Sequence, residues 1–321
     1  MKTGTVVILI IAAVLVIIGA ILFTSALFAA DFDFSKISSV NYQTNTYTAD
    51  NTFENIIIAD ETADVILKAS TDGTCRVECT ENEKVTHSVT VDGGALRITS
   101  NDERKWYDHI TFFGSNKASI TVFLPAVKYS SLSVDITTGD VRIPNGFEFE
   151  SVKISGTTSD VELGSDVTAS LDINLTTGDV DITGISAGKA SVTVTTGDIE
   201  ADRVQVKDDL TLKFTTGDAE MDNETCTNLK VKGTTGDVSL ENVIVHENLS
   251  VNTGTGDVLF EDCDADEIYV KTTTGSVKGT LLTEKVFLAE TSTGNVNVPK
   301  TTSGGKCEIT TTTGDIRIRI E

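Results

Sequence analysis

From residue 132 onward, apolar side chains alternate with polar ones at a period of two, the mark of strands with one buried face. The alternation changes phase at a recurring Thr-Thr-Gly-Asp. Leu132, Val134 and Ile136 lie before one copy, with Val141 and Ile143 after it. Leu171, Ile173 and Leu175 lie before another, with Val180 and Ile182 after it. A change of phase means that the chain bends there. Glycine supplies the positive φ that such a bend wants, while Thr, Ser and Asp can hydrogen-bond the freed backbone groups.

The corner at 137–141 returns at 176–180, 195–199, 215–219, 234–238 and 312–316, with looser copies at 157–161, 254–258, 273–277 and 292–296. The Asp position is held by Asp140, Asp160, Asp179, Asp198, Asp218, Asp237, Asp257, Ser276, Asn295 and Asp315, always 19 or 20 residues apart. A fixed period of this size is a repeat architecture. Each repeat reads as strand, corner, strand and a looser second corner near Val204, Val243 or Cys263. An antiparallel meander and a β-solenoid both accept this pattern. Threonine precedes the glycine (or Ser159) in every copy, and such uniformity suits side chains stacked on their own copies. The expected fold is therefore all-β, a β-solenoid of 19–20-residue coils. Ten coils make a rod on the order of 45–50 Å long.

The N-terminal part has a different organisation. Residues 5–28 are an apolar run, long enough to span a bilayer as one helix and longer than the core of a cleaved signal peptide, although Ala29-Ala30 leaves cleavage open. Residues 1–30 are thus expected to be a transmembrane anchor. Lys2 on one side and Asp31 and Asp33 on the other place the N-terminus in the cytoplasm and the β body outside the cell. Residues 31–51 read as a tether. Residues 52–130 read as degenerate coils, with ladders around Ala63-Asp64 and Gly93-Gly94, and 131–321 as the regular repeat body. The loop 101–119 breaks the ladder with Trp106, Tyr107, Phe112 and Phe113. It either folds over the solenoid end as a cap or anchors a partner, as exposed aromatics do. The last strand, from Asp315 on, is expected to be an open edge. Arg317, Arg319 and Glu321 would guard it against self-pairing and keep the body monomeric.

Charge narrows the choice of partners. The net charge of −23 repels nucleic acid and anionic lipid, and it also serves solubility in a body with much surface. The acidic column suggests either corner capping or calcium, with Asp179, Asp198, Asp218 and Asp237 as the candidate ligands. The Gly-Gly-x-Gly-x-Asp pattern of calcium-binding repeats is absent. Adjacent threonines across a bend do not share a face, which disfavours an ice-binding surface. Cys75, Cys79, Cys226, Cys263 and Cys307 form no disulfide framework, and Cys307 sits at an inward position. His87, His109 and His246 are expected to be solvated surface residues. No cofactor is implied. Short connections leave little room for the cleft of a polysaccharide-cleaving β-helix enzyme, which stays as an alternative to a non-catalytic module.

The order Ile-Thr-Val-Phe-Leu-Pro at 120–125, then Leu-Ser-Val-Asp-Ile-Thr-Thr-Gly-Asp-Val at 132–141, then further Thr-Thr-Gly-Asp-Val copies resembles a bacterial family of β-strand repeats known as "putative adhesin", a domain of unknown function. The resemblance covers roughly residues 53–321. It implies a β-solenoid-like fold and association with the cell envelope, and it brings no catalytic residues. It points to a non-catalytic binding or scaffold module whose partner is an envelope protein or a cell-wall polymer.

Overall fold

The computed structural model describes residues 12, 14–19, 21, 23–25 and 28, which are helical, and then residues 42–49, 52–103 and 118–321. Half of the run at 5–28 lies outside the described residues. Among the described residues no helix is long and apolar enough to cross a membrane.

From residue 128 the chain forms a β-solenoid. Each coil has a long strand such as Asp166–Thr177, the Gly-Asp corner, a short strand such as Val180–Thr183, and a second corner. Long strands pair in parallel with long strands and short with short, each residue beside its copy in the next coil. The meander is thereby excluded for this part. Inward columns stack like on like: Val141, Val161, Val180, Ile199, Ala219 and Val238 run through the short sheet, all buried. The threonines before the glycine form an outward column from Thr138 through Thr177 and Thr196 to Thr313.

The corner glycines are required by stacking more than by bending. At Gly217 φ is +136°, and a Cβ there would lie 2.0 Å from the carbonyl oxygen of Gly197 in the coil below. Only a residue without a side chain lets two corners approach at strand spacing.

Both ends depart from sequence order. The first coil (Asn55–Asp60 and Asp64–Ala69) lies inside the stack. Its long strand sits between Ala95–Asp102 and Lys128–Thr138, and its short one between Ser119–Leu124 and Val141–Ile143. Beyond it the strands turn antiparallel. Val85–Asp92 pairs with Ala95–Asp102 through a hairpin at Gly93-Gly94, both with positive φ, so this pair is a hairpin turn and not a coil corner. Cys75–Glu81 pairs antiparallel with Ser119–Leu124 on one side and with Gln43–Ala49 on the other. Residues 43–49, inside the stretch expected to be a tether, are thus a strand of the cap.

At the other end the last coil (Gly305–Thr313 and Ile316–Ile320) is inserted between the coil Val258–Thr274/Val277–Leu281 and the coil Lys285–Thr293/Val296–Asn297. This corrects the expectation of an open edge at Ile316 and Arg317, while 318–320 pair with 279–281 alone. Arg317 lies between Lys278 and Asn297, and Arg319 beside Thr280. Every coil offers the same backbone groups on both edges, so stacking order need not follow chain order.

Candidate functional site: the charged ladders and the capped end

The acidic column is a continuous hydrogen-bonded ladder. One oxygen of each Asp accepts the backbone N–H of the residue at the same position one coil on. Asp179 accepts from Asp198 at 2.8 Å, Asp198 from Asp218 at 2.7 Å, Asp218 from Asp237 at 2.7 Å and Asp237 from Asp257 at 2.7 Å. The ladder survives the reordered end: Asp257 accepts from Ser276, Ser276 from Asp315, and Asp315 from Asn295. The four candidate calcium ligands are therefore corner caps with one oxygen engaged. Among the described residues no group of three or more His, Cys, Asp or Glu is arranged to hold a metal ion.

Two further acidic ladders flank this one on the outer face of the short sheet. Glu162, Asp181, Glu200 and Glu220 stand in register, as do Asp202, Asp222, Glu241 and Glu261. Partial burial and the charges of Glu220, Asp181 and Asp198 raise the Glu200 carboxyl above its ordinary value. The charges of Asp222 and Glu261 do the same for Glu241. Cations close the face at either end: Arg142 bonds Glu162 at 3.1 Å, and Lys278 lies 3.5 Å from Asp257. A shallow cavity of about 370 Å³ lies between Asp218, Glu220, Asp237, Leu259 and Lys278. The outer face of the long sheet carries Lys213, Lys230, Lys232 and Lys271 over the same coils. Exposed Asp208, Asp209, Glu247, Asp266 and Glu267 stand among them, so the long sheet is mixed in charge where the short one is acidic.

His87 is not a surface residue. Its side chain is fully buried between two carboxylates, with Nε2 3.0 Å from Asp60 Oδ2 and Nδ1 2.8 Å from Glu81 Oε2. Asp60 also accepts from the amides of Thr62 and Ala63, and Glu81 from Asn45, Tyr47 and the His87 amide. Burial alone would lower the His87 pKa, but the hydrogen bonds and charges of Asp60 and Glu81 outweigh it and raise it. Burial would raise both carboxyls, and their hydrogen bonds outweigh it and lower them. The cluster joins the antiparallel cap to the first coil. Every hydrogen bond it makes is internal, which suits a structural clasp. His246 is exposed, as expected, and His109 lies outside the described residues.

Glu224 is a site that sequence reasoning missed. It occupies an inward column otherwise held by Val204 and Val243 and is 1% exposed. One oxygen accepts the Val204 amide at 3.0 Å, and the other has no partner. Burial, with the nearby charges of Asp202 and Asp222, pushes its carboxyl up to about 8, so it carries a proton at neutral pH. A glutamate at the position where the neighbouring repeats carry Val204 and Val243 was the available signal. The five cysteines are all buried. Burial pushes Cys79, Cys226 and Cys307 up to about 12, which makes them poor nucleophiles. Trp106, Tyr107, Phe112 and Phe113 lie outside the described residues.

Similar folds have been solved before. A structure described as a "putative lipid binding protein" from Parabacteroides distasonis ATCC 8503 superposes with a TM-score of 0.53 at 17% identity, covering 75% of this chain and 98% of that one. A "putative adhesin" from the same organism gives 0.48 at 15% identity, covering 85% and 98%. Another "putative adhesin", from Bacteroides fragilis NCTC 9343, gives 0.39 at 16% identity, covering 87% and 97%. No curated protein matches the chain significantly. The model of the Toastrack DUF4097 family matches residues 53–243 and 207–321, nearly the whole β body, and the chain belongs to that family.

Proposed function

We propose that this chain is a membrane-anchored, extracytoplasmic binding or scaffold module that works by contact along the rod and performs no catalysis. The carrying observation is the acidic face of the short sheet. Its ladders stand in register over successive coils, a repeating charged surface suited to an extended partner such as a wall polymer or an envelope protein. The corners support the same reading. Their polar backbone groups are consumed by neighbouring coils, which leaves tight turns in place of the long loops that wall a catalytic cleft. The lipid binding in one neighbour's description belongs to that protein, since at 17% identity only the fold carries over. The apolar run at 5–28 with its charge asymmetry supports the anchor.

Two measurements test this. Protease added to intact protoplasts should degrade the β body, and survival of the body would sink the outward placement. Crosslinking in intact envelopes should capture a partner in wild type and lose it when Glu200 and Glu220 are replaced by Lys. Equal capture would remove the acidic face from the proposal.

A further inference from the structure

The reordered end leaves the coil Lys285–Thr293/Val296–Asn297 as the terminus of the rod. Among the described residues its long strand pairs only with Gly305–Thr313 and its short strand only with Ile316–Ile320, so each keeps one backbone edge without a strand partner there. Among the described residues beyond the N-terminal helical ones, six large apolar side chains are exposed. Val127 and Leu259 lie elsewhere, Leu282 (41%) lies at the corner that leads into this coil, and Val286 at 37%, Leu288 at 51% and Val296 at 44% stand on it. Phe287, Ala289, Val298 and Ile320 pack on the core but are only partly covered. The opposite end carries an antiparallel cap and shows no such group among the described residues.

We propose that this end is the interface of a tail-to-tail homodimer, in which Lys285–Thr293 pairs antiparallel with the same strand of a second copy about a two-fold axis at Leu288. Charge argues for a second copy. Residues 278–321 hold six Lys and Arg against five Asp and Glu, a formal +1, so the rest of the chain carries the whole of the negative excess. Two copies repel least when they meet at this end. Register argues for the axis. Side chains on one face of a sheet alternate at period two, so a strand meeting its own copy pairs residues whose numbers differ by an even amount. Centred on Leu288, this sets Leu288 on its copy, Phe287 against the small Ala289 and Val286 alone on a polar partner, Glu290, with no two like charges opposite each other. Centred on Phe287, it would set Glu284 against Glu290. Centred on Ala289, it would turn both Phe287 and Leu288 onto polar partners. An open edge exposing apolar side chains is the surface that such pairing covers. A single coil end is smaller than the roughly 800 Å² per partner of a typical stable interface, so the dimer is of modest affinity.

The test uses the full chain in detergent. Directly opposed residues of an antiparallel pair have Cβ atoms about 4.5–5.5 Å apart, within reach of a disulfide. Leu288→Cys should therefore give a disulfide-linked dimer on mild oxidation. Wild type, whose thiols are buried, should not, nor should Leu259→Cys on the side of the rod. Leu288→Lys should convert the dimer to monomer in sedimentation equilibrium without lowering the melting temperature. Linking of Leu288→Cys no better than Leu259→Cys overturns the proposal, as does a wild type that is monomeric throughout. Preferential linking of Leu288→Cys to a Thr90→Cys chain also overturns it, in favour of head-to-tail filaments.

Discussion

Two buried ionisable sites set the pH behaviour at the residue scale. The Glu224 carboxyl stands at about 8 in the folded chain, above its ordinary value near 4.3. The folded state therefore holds a proton that the unfolded state has released, and stability falls as pH rises between those values. Glu224→Gln keeps the shape and cannot ionise. It should raise the melting temperature at pH 8 and change it little at pH 5, and an equal change at both would show that Glu224 is not protonated when folded. The His87 clasp has the opposite acid side. Its raised imidazole stabilises fully below about 6.5 and loses that contribution as pH climbs through the folded value, whereas Asp60 and Glu81, both lowered, contribute above about 4 and lose it as pH falls. In a Glu224→Gln background stability should therefore peak between about pH 4 and 6.5 and decline on both sides. His87→Asn strands two carboxylates in the interior and should cost about 3–5 kcal/mol near pH 6, measured by denaturant unfolding.

The corner ladder makes its predictions at the element scale. Asp198→Ala removes the acceptor for the Asp218 amide and should cost about 1–3 kcal/mol. Asp198→Asn keeps an acceptor and should be nearly neutral, as the uncharged Ser276 already accepts the Asp315 amide at an equivalent corner. Calcium should alter the melting of neither variant nor of wild type; a calcium-dependent gain above about 3 kcal/mol would make the ladder a cation site. The coil itself was legible from the 19–20-residue spacing, because each ladder position repeats with the period that brings it beside its copy. The order of the coils was not legible. Thr, Gly and Asp at a corner are satisfied by any neighbouring corner, so nothing in residues 305–320 says that they stack against 258–281 before 285–297 do. The burial of His87 was hidden for a related reason. Its partners Asp60 and Glu81 come from strands that meet only through the antiparallel cap, outside the repeat.

The faces matter at the scale of the whole molecule. Three acidic ladders at strand spacing along one side place like charges well within a Debye length of about 10 Å at 0.1 M salt. Raising ionic strength should therefore stabilise the rod, with melting temperature climbing between low salt and about 0.5 M. Glu220→Lys should reduce that salt dependence, whereas Lys230→Glu on the opposite face should not. Scanning calorimetry at three salt concentrations decides it, and a flat response would mean that the ladders do not repel each other appreciably.

The inserted last coil also sets an order of events in time. A ribosome delivers residues 285–297 before residues 305–320, yet the former take their seat on the latter. At about 5–20 residues per second, the strands at 285–297 wait roughly one to five seconds for their platform to emerge. During that interval they either stay loose or dock provisionally on 258–281 and must then be displaced. Growth of this rod is therefore not a simple winding from one end to the other, and its last seat is filled by strands made before the coil that carries them.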